Sequence, residues 1–322
     1  MNKIVKILSV GAGVQDVFLT GKVLRPEKDE DGEWVEELPV GAKLDLDSIV
    51  FGTGGGATNA AVTFARQGLH SAFMGKIAHD PAGMAVLADL HNEGVDTHLV
   101  AYSSDYNTGY SAILLSPNGE RTILTYRGAS THYHVNNFNL KEINADWIYI
   151  SSLAGCMDVL EAIIETAKKK EIKIAINPGK SELKQKRKIK ELLKEVNILS
   201  LNKEELQMLV DGENNEEIIR NAAEMIPVVV MTDGPRGLVA TDRNTIIKAG
   251  MYEDVPVRDR TGAGDAFCSG FVSSFAKGLS LKEAVIFGSA NSTSVVQYIG
   301  AKEGILNGDV HLHDMPIKEK PF

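Results

Sequence analysis

Residues 258–271 have the sequence RDRTGAGDAFCSGF, a glycine-rich turn followed at once by an apolar stretch that favours a helix. Asp265 comes directly after this turn. A helix N-terminus carries unpaired N–H groups and a positive partial charge, and small residues there let the backbone approach an anion closely. The stretch therefore predicts either a phosphate site with a carboxylate beside it, or an ordinary loop in which Asp265 caps a helix.

The overall composition limits the class of protein. A chain of 322 residues with 43% hydrophobic content can form one large α/β domain. Its formal net charge of −9 argues against nucleic acid or an anionic membrane as partner. The N-terminus lacks the pattern of a secretory signal, and no apolar run approaches the ~20 residues needed to span a bilayer, so we expect a cytoplasmic protein. Cys156 and Cys268 are expected to be reduced thiols rather than a disulfide.

Short β-prone runs alternate with helical patterns on the N-terminal side of the glycine-rich turn. Several runs are apolar throughout, which is typical of strands that are covered on both faces in a parallel sheet. Among the helices, the one predicted at 81–94 has Asp80 as N-cap, Pro81 at its first position and Gly94 past its end. The alternation predicts a three-layer α/β domain. The predicted strands are 4–10, 71–77, 147–152, 172–177, 196–201 and 227–232.

Two segments interrupt this alternation. Residues 17–50 contain an acidic turn and no convincing helix, and residues 109–126 contain Asn118-Gly119, a strong hairpin signal. Both predict a small β appendage inserted into a single domain that spans residues 1–322. A lid over an active site and a purely structural flap are both compatible with this pattern.

Three glycine clusters are candidates for the functional site. The first, 11-GAGVQD-16, starts like a dinucleotide fingerprint, but Asp16 stands where a third small residue is needed and no helix is predicted to follow. The second, in residues 52–68, opens a helix with Asn59, which either caps the helix or binds a polyhydroxy ligand. The third is the turn before Asp265. It suits phosphoryl transfer, because the turn can stabilise phosphoryl charge while Asp265 accepts a proton.

Taken in order, Asp16, 54-GGGATN-59, 202-NKEE-205, 232-TDGPRG-237 and 259-DRTGAGD-265 resemble the ribokinase-like (PfkB-type) carbohydrate kinases over essentially the whole chain. The resemblance implies a Rossmann-like, ribokinase-like sandwich with a mainly parallel central sheet and a small β-sheet lid. It also implies transfer of the γ-phosphoryl group of ATP to a hydroxyl of a sugar or nucleoside, with Mg²⁺ at the phosphates.

The resemblance also implies a role for individual residues. The general base and its anion hole would be Asp265 with the N–H groups of Gly262, Ala263 and Gly264. The groups that hold substrate hydroxyls would be Asp16, Asn59 and the backbone at Gly55. The nucleotide would lie against Asn202, Thr232, Gly234, Gly237 and Asn291, with Glu205 near Mg²⁺, partly through water. A monovalent cation such as K⁺ would lie at Asp259 and Thr261, next to Arg260, which stands where Thr is frequent in the family.

The identity of the substrate stays open. Ribose is disfavoured, because Gly56 replaces the Lys typical of ribokinases and residues 147–155 lack the Glu that they offer to ribose. An inward-facing Arg127 would favour an acidic or phosphorylated sugar through bidentate pairing, whereas an outward-facing one would be a solvated charge. A sugar kinase, a nucleoside kinase and a non-catalytic sensor are the hypotheses, and an intact Asp265 argues against the sensor. Lid strands in relatives often pair between subunits, so we expect a homodimer through the lid, with a monomer as the alternative.

Overall fold

A computed structural model describes residues 3–116 and 121–322. The hairpin turn predicted around Asn118-Gly119 lies outside these residues. The strands are β1 (Lys6–Val10), β2 (Val14–Thr20), β3 (Glu27–Lys28), β4 (Trp34–Val35), β5 (Ser48–Gly54), β6 (His70–Met74), β7 (Lys76–Ala78), β8 (Ala101–Ser103), β9 (Gly109–Leu115), β10 (Arg121–Tyr126), β11 (Trp147–Ile150), β12 (Lys173–Ile176), β13 (Ile198–Asn202), β14 (Val228–Thr232), β15 (Leu238–Thr241), β16 (Thr245–Ala249) and β17 (Ile317–Pro321). The helices are α1 (Gly56–Arg66), α2 (Pro81–Asn92), α3 (Met157–Lys169), α4 (Lys180–Leu183), α5 (Lys186–Leu193), α6 (Lys203–Gln207), α7 (Asn215–Ala223), α8 (Ala263–Ala276) and α9 (Leu281–Val295).

The central sheet has nine strands in the order β17-β16-β15-β14-β13-β12-β11-β1-β6. The six strands from β14 to β6 in this order are parallel, and β15, β16 and β17 are added antiparallel. Both faces of the sheet are covered. Ile7 packs in the apolar cluster that contains Phe271 of α8, whereas its neighbour Leu8 packs in the cluster that contains Ile163 of α3. The predicted α/β class, with a mainly parallel central sheet, is therefore confirmed.

A separate four-stranded sheet has the order β10-β9-β2-β5, and we call it the lid sheet. Asp16 of β2 is paired with Ser111 of β9, and both side chains are buried. Because side chains alternate between the faces of a strand, the next cross-strand row lies on the opposite face. This row contains Phe51 of β5 and Leu124 of β10, which are 62% and 57% exposed. The lid sheet therefore has one face with buried polar groups and one face with exposed apolar groups.

Several local predictions can be compared with the structure. Helix α2 starts at Pro81, and its N-cap Asp80 accepts a hydrogen bond of 2.8 Å from the N–H of Gly83, as predicted. The single strand predicted at 71–77 was wrong, because β6 pairs with β1 whereas β7 pairs with β8. Both cysteines are free. Among the described residues, no helix is long and apolar enough to cross a membrane.

Candidate active site

The three glycines at residues 54–56 run past two carboxylates. A Cβ atom on Gly54 would overlap Oδ2 of Asp16, and one on Gly56 would overlap Oγ of Ser151 and lie 3.1 Å from Oδ1 of Asp265. Gly55 has a φ of 98° and is the N-cap of α1. Side chains at these positions would collide with their neighbours or strain the backbone. The glycine run thus brings the lid sheet and the end of β11 close to helix α8.

Asn59 links this run to Asp265. It is the fourth residue of α1, and its Nδ2 donates a hydrogen bond of 2.8 Å to Oδ2 of Asp265. Its Oδ1 is buried and has no hydrogen-bond partner among the residues that the structure describes. Asn59 does not cap α1, because the N-cap is Gly55. The amide therefore holds the Asp265 carboxylate and leaves one acceptor for another group.

Burial dominates the electrostatics of both carboxylates. It raises the pKa of Asp265, and the hydrogen bond from Asn59 opposes this rise. Burial also raises the pKa of Asp16 to about 6, although the Ser111 hydroxyl and the Lys302 ammonium both favour its ionised form. Asp265 itself adds to the rise at Asp16, which indicates that the two carboxylates lie close enough to interact. A shift of this kind is typical of acid–base groups in active sites.

The turn before Asp265 is the N-terminus of α8. Gly262 is the N-cap with a φ of 77°, and a Cβ there would overlap Cβ of Ala301. Asp265 is the third residue of the helix, so the simpler interpretation of Asp265 as the capping residue is wrong. Gly264 is exposed, and nothing lies within 4 Å of the place where its Cβ would be. The N–H of Ala263 donates to the carbonyl of Arg260 at 3.3 Å, whereas the N–H of Gly264 has no partner among the described residues and can face an anion beside the Asp265 carboxylate.

A cleft of about 320 Å³ adjoins this turn. Its walls include Ala263 and Gly264 of α8 together with Thr232, Gly234 and Gly237. The sequence motifs predicted the two residues of α8 as part of the anion hole and the other three as the nucleotide turn. The structure brings both groups to one cleft. Arg260 also lines the cleft with an exposed side chain. Its place beside the helix N-terminus makes it an additional candidate contact for phosphate.

Asn291 does not line this cleft. Its side chain is 0% exposed, its Nδ2 donates to the carbonyl of Ala266 at 2.8 Å, and its Oδ1 accepts from the N–H of Leu306 at 2.9 Å. Both ends of the amide are used inside the protein, which argues against the predicted contact with adenine. Ser292 and Thr293, the next two residues of α9, line the cleft instead.

Asn202 and Glu205 form a capping box at the start of α6. The Glu205 N–H donates to Oδ1 of Asn202 at 2.9 Å, and the Asn202 N–H donates to Oε2 of Glu205 at 3.2 Å. Burial raises the pKa of the Glu205 carboxyl. Burial also raises the pKa of Cys268 to about 12, and the charges of Asp265 and Glu205 both add to this rise. Glu205 therefore offers a half-buried carboxylate in the first turn of α6.

These residues can be tested for their fit to Mg²⁺. The described residues contain no group of three or more His, Cys, Asp and Glu side chains that could hold a metal ion. Mg²⁺ bound to a nucleotide, however, usually keeps several waters and takes only one or two carboxylates in addition to phosphates. A half-buried Glu205 fits such an ion, with the phosphates and water as its other ligands.

The predicted monovalent cation site is occupied by the protein's own donors. Asp259 is 0% exposed, and its Oδ1 accepts from both the N–H (2.9 Å) and the hydroxyl (2.7 Å) of Thr261. Its Oδ2 accepts from the N–H of Gly300 at 3.0 Å. The Nε of Arg121, from the lid sheet, lies 3.8 Å from Oδ1. Because the carboxylate already faces three donors and a guanidinium, these residues do not fit an added K⁺.

Two basic residues near the site are Arg127, which the sequence motifs predicted as a candidate, and Lys302, which they did not. Arg127 is exposed, as in the outward alternative, and forms no ion pair within the described part of the chain. Its carbonyl lies 3.1 Å from the place of a Cβ on Gly109, which pairs with Val14, two residues before Asp16.

Lys302 is buried in an ion pair with Asp89 at 2.9 Å. It lies in a loop with no motif signal, and only the tertiary structure brings it near Asp16.

A helix N-terminus, a cleft of about 320 Å³ and a half-buried carboxylate meet in one place, which is compatible with a small-molecule kinase. Residues 33–307 match the pfkB family carbohydrate kinase, so the chain belongs to this family and the resemblance in its motifs is confirmed. A ribokinase from Staphylococcus aureus is 29% identical over 265 residues, which are 79% of this chain and 85% of that protein. A nucleoside kinase from Methanocaldococcus jannaschii is 25% identical over 260 residues, 80% of this chain and 83% of that protein.

The fold agrees with this membership. A crystal structure of the Methanocaldococcus jannaschii nucleoside kinase, described as an archaeal member of the ribokinase family, superposes with a TM-score of 0.76 at 23% identity. The superposition covers 96% of this chain and 97% of the other. The predicted ribokinase-like fold and the assignment as a carbohydrate kinase are thus confirmed.

Proposed function

We propose that the protein transfers the γ-phosphoryl group of ATP to a hydroxyl of a sugar or sugar derivative. The observation that carries the proposal is the position of Asp265 in the first turn of α8, held by Asn59 at 2.8 Å, next to the exposed Gly264 of the same turn. A base and an anion-binding turn at one place are what phosphoryl transfer requires of a protein.

In the proposed reaction step, one P–O bond forms, one P–O bond breaks and one proton is transferred. The substrate hydroxyl oxygen attacks the γ-phosphorus, the bond to the β,γ-bridging oxygen breaks, and the hydroxyl proton passes to the Asp265 carboxylate. The N–H groups at residues 262–264 stabilise the charge on the transferred group. Mg²⁺, when bound with the nucleotide near Glu205, would neutralise phosphate charge.

The substrate would lie between the lid sheet and α8. The Asp16 carboxylate accepts hydrogen bonds from hydroxyls, as does the buried Oδ1 of Asn59, for which the described residues supply no donor. Gly55 follows Gly54, which lies against the Asp16 carboxylate, and it is the N-cap of the helix that carries Asn59. This set of acceptors matches a ligand with several neighbouring hydroxyl groups.

The test is an assay of ADP release over sugars, sugar acids, sugar phosphates and nucleosides. We expect turnover of one class, and a loss of at least about 10³-fold in kcat for Asp265→Asn with little change in thermal stability. Asn92, an exposed residue at the end of α2, is changed to Ala as the control for purification and folding. Binding of a sugar without turnover of any compound would favour the sensor hypothesis. Full activity of Asp265→Asn would refute the role of Asp265 as the general base.

A nucleoside kinase is the second candidate, supported by the relative of that name. The same base and anion-binding turn would serve the 5′-hydroxyl of a nucleoside. Arg127 separates acidic or phosphorylated sugars from the uncharged compounds of the panel. If it faces the substrate after closure of the lid sheet, Arg127→Ala raises KM for acidic or phosphorylated sugars and leaves KM for neutral sugars and nucleosides unchanged.

The exposed apolar face of the lid sheet supports a homodimer. Phe51 and Leu124 lie in one cross-strand row, and Ile49 and Tyr126 extend the same face with 52% and 51% exposure. Exposed apolar patches of this kind are typical of protein interfaces. A second copy of this chain is the proposed occupant, with the two lid sheets face to face. The cytoplasmic location stays a prediction.

A further inference from the structure

The buried carboxylate of Asp259 organises the start of the anion-binding turn. It accepts hydrogen bonds from Thr261 on one oxygen and from Gly300 on the other. Ala301, the residue after Gly300, packs directly against Gly262, the N-cap of α8. The position of the turn therefore depends on a fully buried negative charge. Such a charge is costly unless a positive charge lies near it.

That positive charge comes from the lid sheet. Arg121 is the first residue of β10, and its Nε lies 3.8 Å from Oδ1 of Asp259. The Arg121 side chain is 24% exposed, whereas that of Asp259 is 0% exposed. Within residues 3–116 and 121–322, no other Lys, Arg or His side chain forms an ion pair with Asp259. The ion pair joins the lid sheet to the turn at which the phosphoryl group is proposed to bind.

We propose that Arg121 takes the place of a monovalent cation at Asp259, so that the protein needs no K⁺, and that this ion pair couples the lid sheet to the anion-binding turn. A guanidinium near the carboxylate neutralises it and repels a second cation from the same place. The coupling rests on the proposed function of residues 262–264 as the anion hole. The replacement of the cation by Arg121 does not rest on that function, because it concerns only the stability of the folded protein.

The test compares thermal unfolding in KCl and in choline chloride at equal ionic strength. Wild-type protein is expected to have the same Tm in both salts. Arg121→Ala is expected to lose about 3 °C in choline chloride, since the Asp259 charge loses its partner. Potassium, which can enter the space left by the guanidinium, should restore part of this loss. Arg187→Ala, which removes an exposed arginine on α5, is the matched control and should respond to neither salt.

Further variants keep the test decisive. The double variant with Arg121→Ala and Asp259→Asn has no buried charge to neutralise and should lose the response to K⁺. Folding of Arg121→Ala in KCl but not in choline chloride would support the proposal. If Arg121→Ala folds in neither salt, Arg121→Lys is used instead; it keeps the charge, so its Tm in the two salts should resemble that of wild type. A wild-type Tm that rises in KCl but not in choline chloride would overturn the proposal, as would equal behaviour of Arg121→Ala and Arg187→Ala.

Activity gives an independent measurement once a substrate is known. The kcat/KM of wild type for ATP should be equal in the two salts, and that of Arg121→Ala should rise several-fold on adding K⁺. Absence of turnover with every compound in the panel would count against the proposed function but leave the result of thermal unfolding intact. A wild-type kcat/KM that rises several-fold with K⁺ would refute the replacement even if the kinase activity were established.

Discussion

Replacing Asn59 with Ala should shift the pH dependence of catalysis through Asp265. The 2.8 Å hydrogen bond from Nδ2 of Asn59 stabilises the ionised carboxylate, and it opposes the rise in pKa that burial causes. A hydrogen bond to a charged group contributes about 1.5–3 kcal/mol, and one pKa unit corresponds to about 1.4 kcal/mol. Without the amide donor, the pKa of Asp265 should therefore rise by about 1–2 units.

The assay is the pH profile of kcat/KM, measured by ADP release. A general base must be ionised, so activity falls as the pH drops through its pKa, and a higher pKa moves this acidic limb to higher pH. We expect the limb of Asn59→Ala to lie about 1–2 pH units above that of wild type. Loss of a substrate contact would instead lower kcat/KM equally at all pH values, so the shape of the profile separates the two effects.

Asn92→Ala, on the exposed end of α2, is the control and should retain the wild-type profile. If Asn59→Ala lowers kcat/KM but leaves the limb in place, the hydrogen bond does not set the pKa of the catalytic base. Either Asp265 is then not the base, or its environment in the complex differs from the one described. That result would refute the link between geometry and pH dependence drawn above.

Four further predictions concern other parts of the site. Asp16→Asn should abolish activity, but it also removes the cost of burying a charged carboxylate. Because the pKa of Asp16 is raised from near 3.8 to about 6, ionisation of this group destabilises the folded wild type as the pH rises. In urea unfolding, the wild type should therefore lose up to about 3 kcal/mol of stability between pH 4 and pH 7, relative to the variant. Gly264→Ala should keep or slightly raise Tm, since nothing lies within 4 Å of the added Cβ, yet lower kcat/KM by placing a methyl group in the cleft. Arg260→Thr should raise KM for ATP roughly five-fold and leave KM for the acceptor unchanged. Phe51→Glu should convert a dimer to a monomer in sedimentation velocity, whereas a wild-type monomer would contradict the lid-sheet interface.

The family and the main elements follow from local sequence. The run at residues 54–56, the turn at residues 262–264 and the cap of α2 each need particular residue types for backbone reasons, so short patterns reveal them. The parallel strands are apolar because both faces of the central sheet are covered, and this too can be read along the chain. The break between β6 and β7 could not be predicted from the sequence, because it depends on which strand each of them pairs with.

Local motifs identify which residue types stand in the site, whereas long-range packing in the fold specifies what each side chain contacts. The family motif around Asp259 predicts a cation, but in the structure the guanidinium of Arg121, which lies far earlier in the chain and on the lid sheet, is next to this carboxylate. Asn291 was predicted at the nucleotide, yet its amide is used up by two backbone groups. Contacts between residues far apart in sequence leave no local periodicity or spacing, so only the folded arrangement of helices and sheets specifies them.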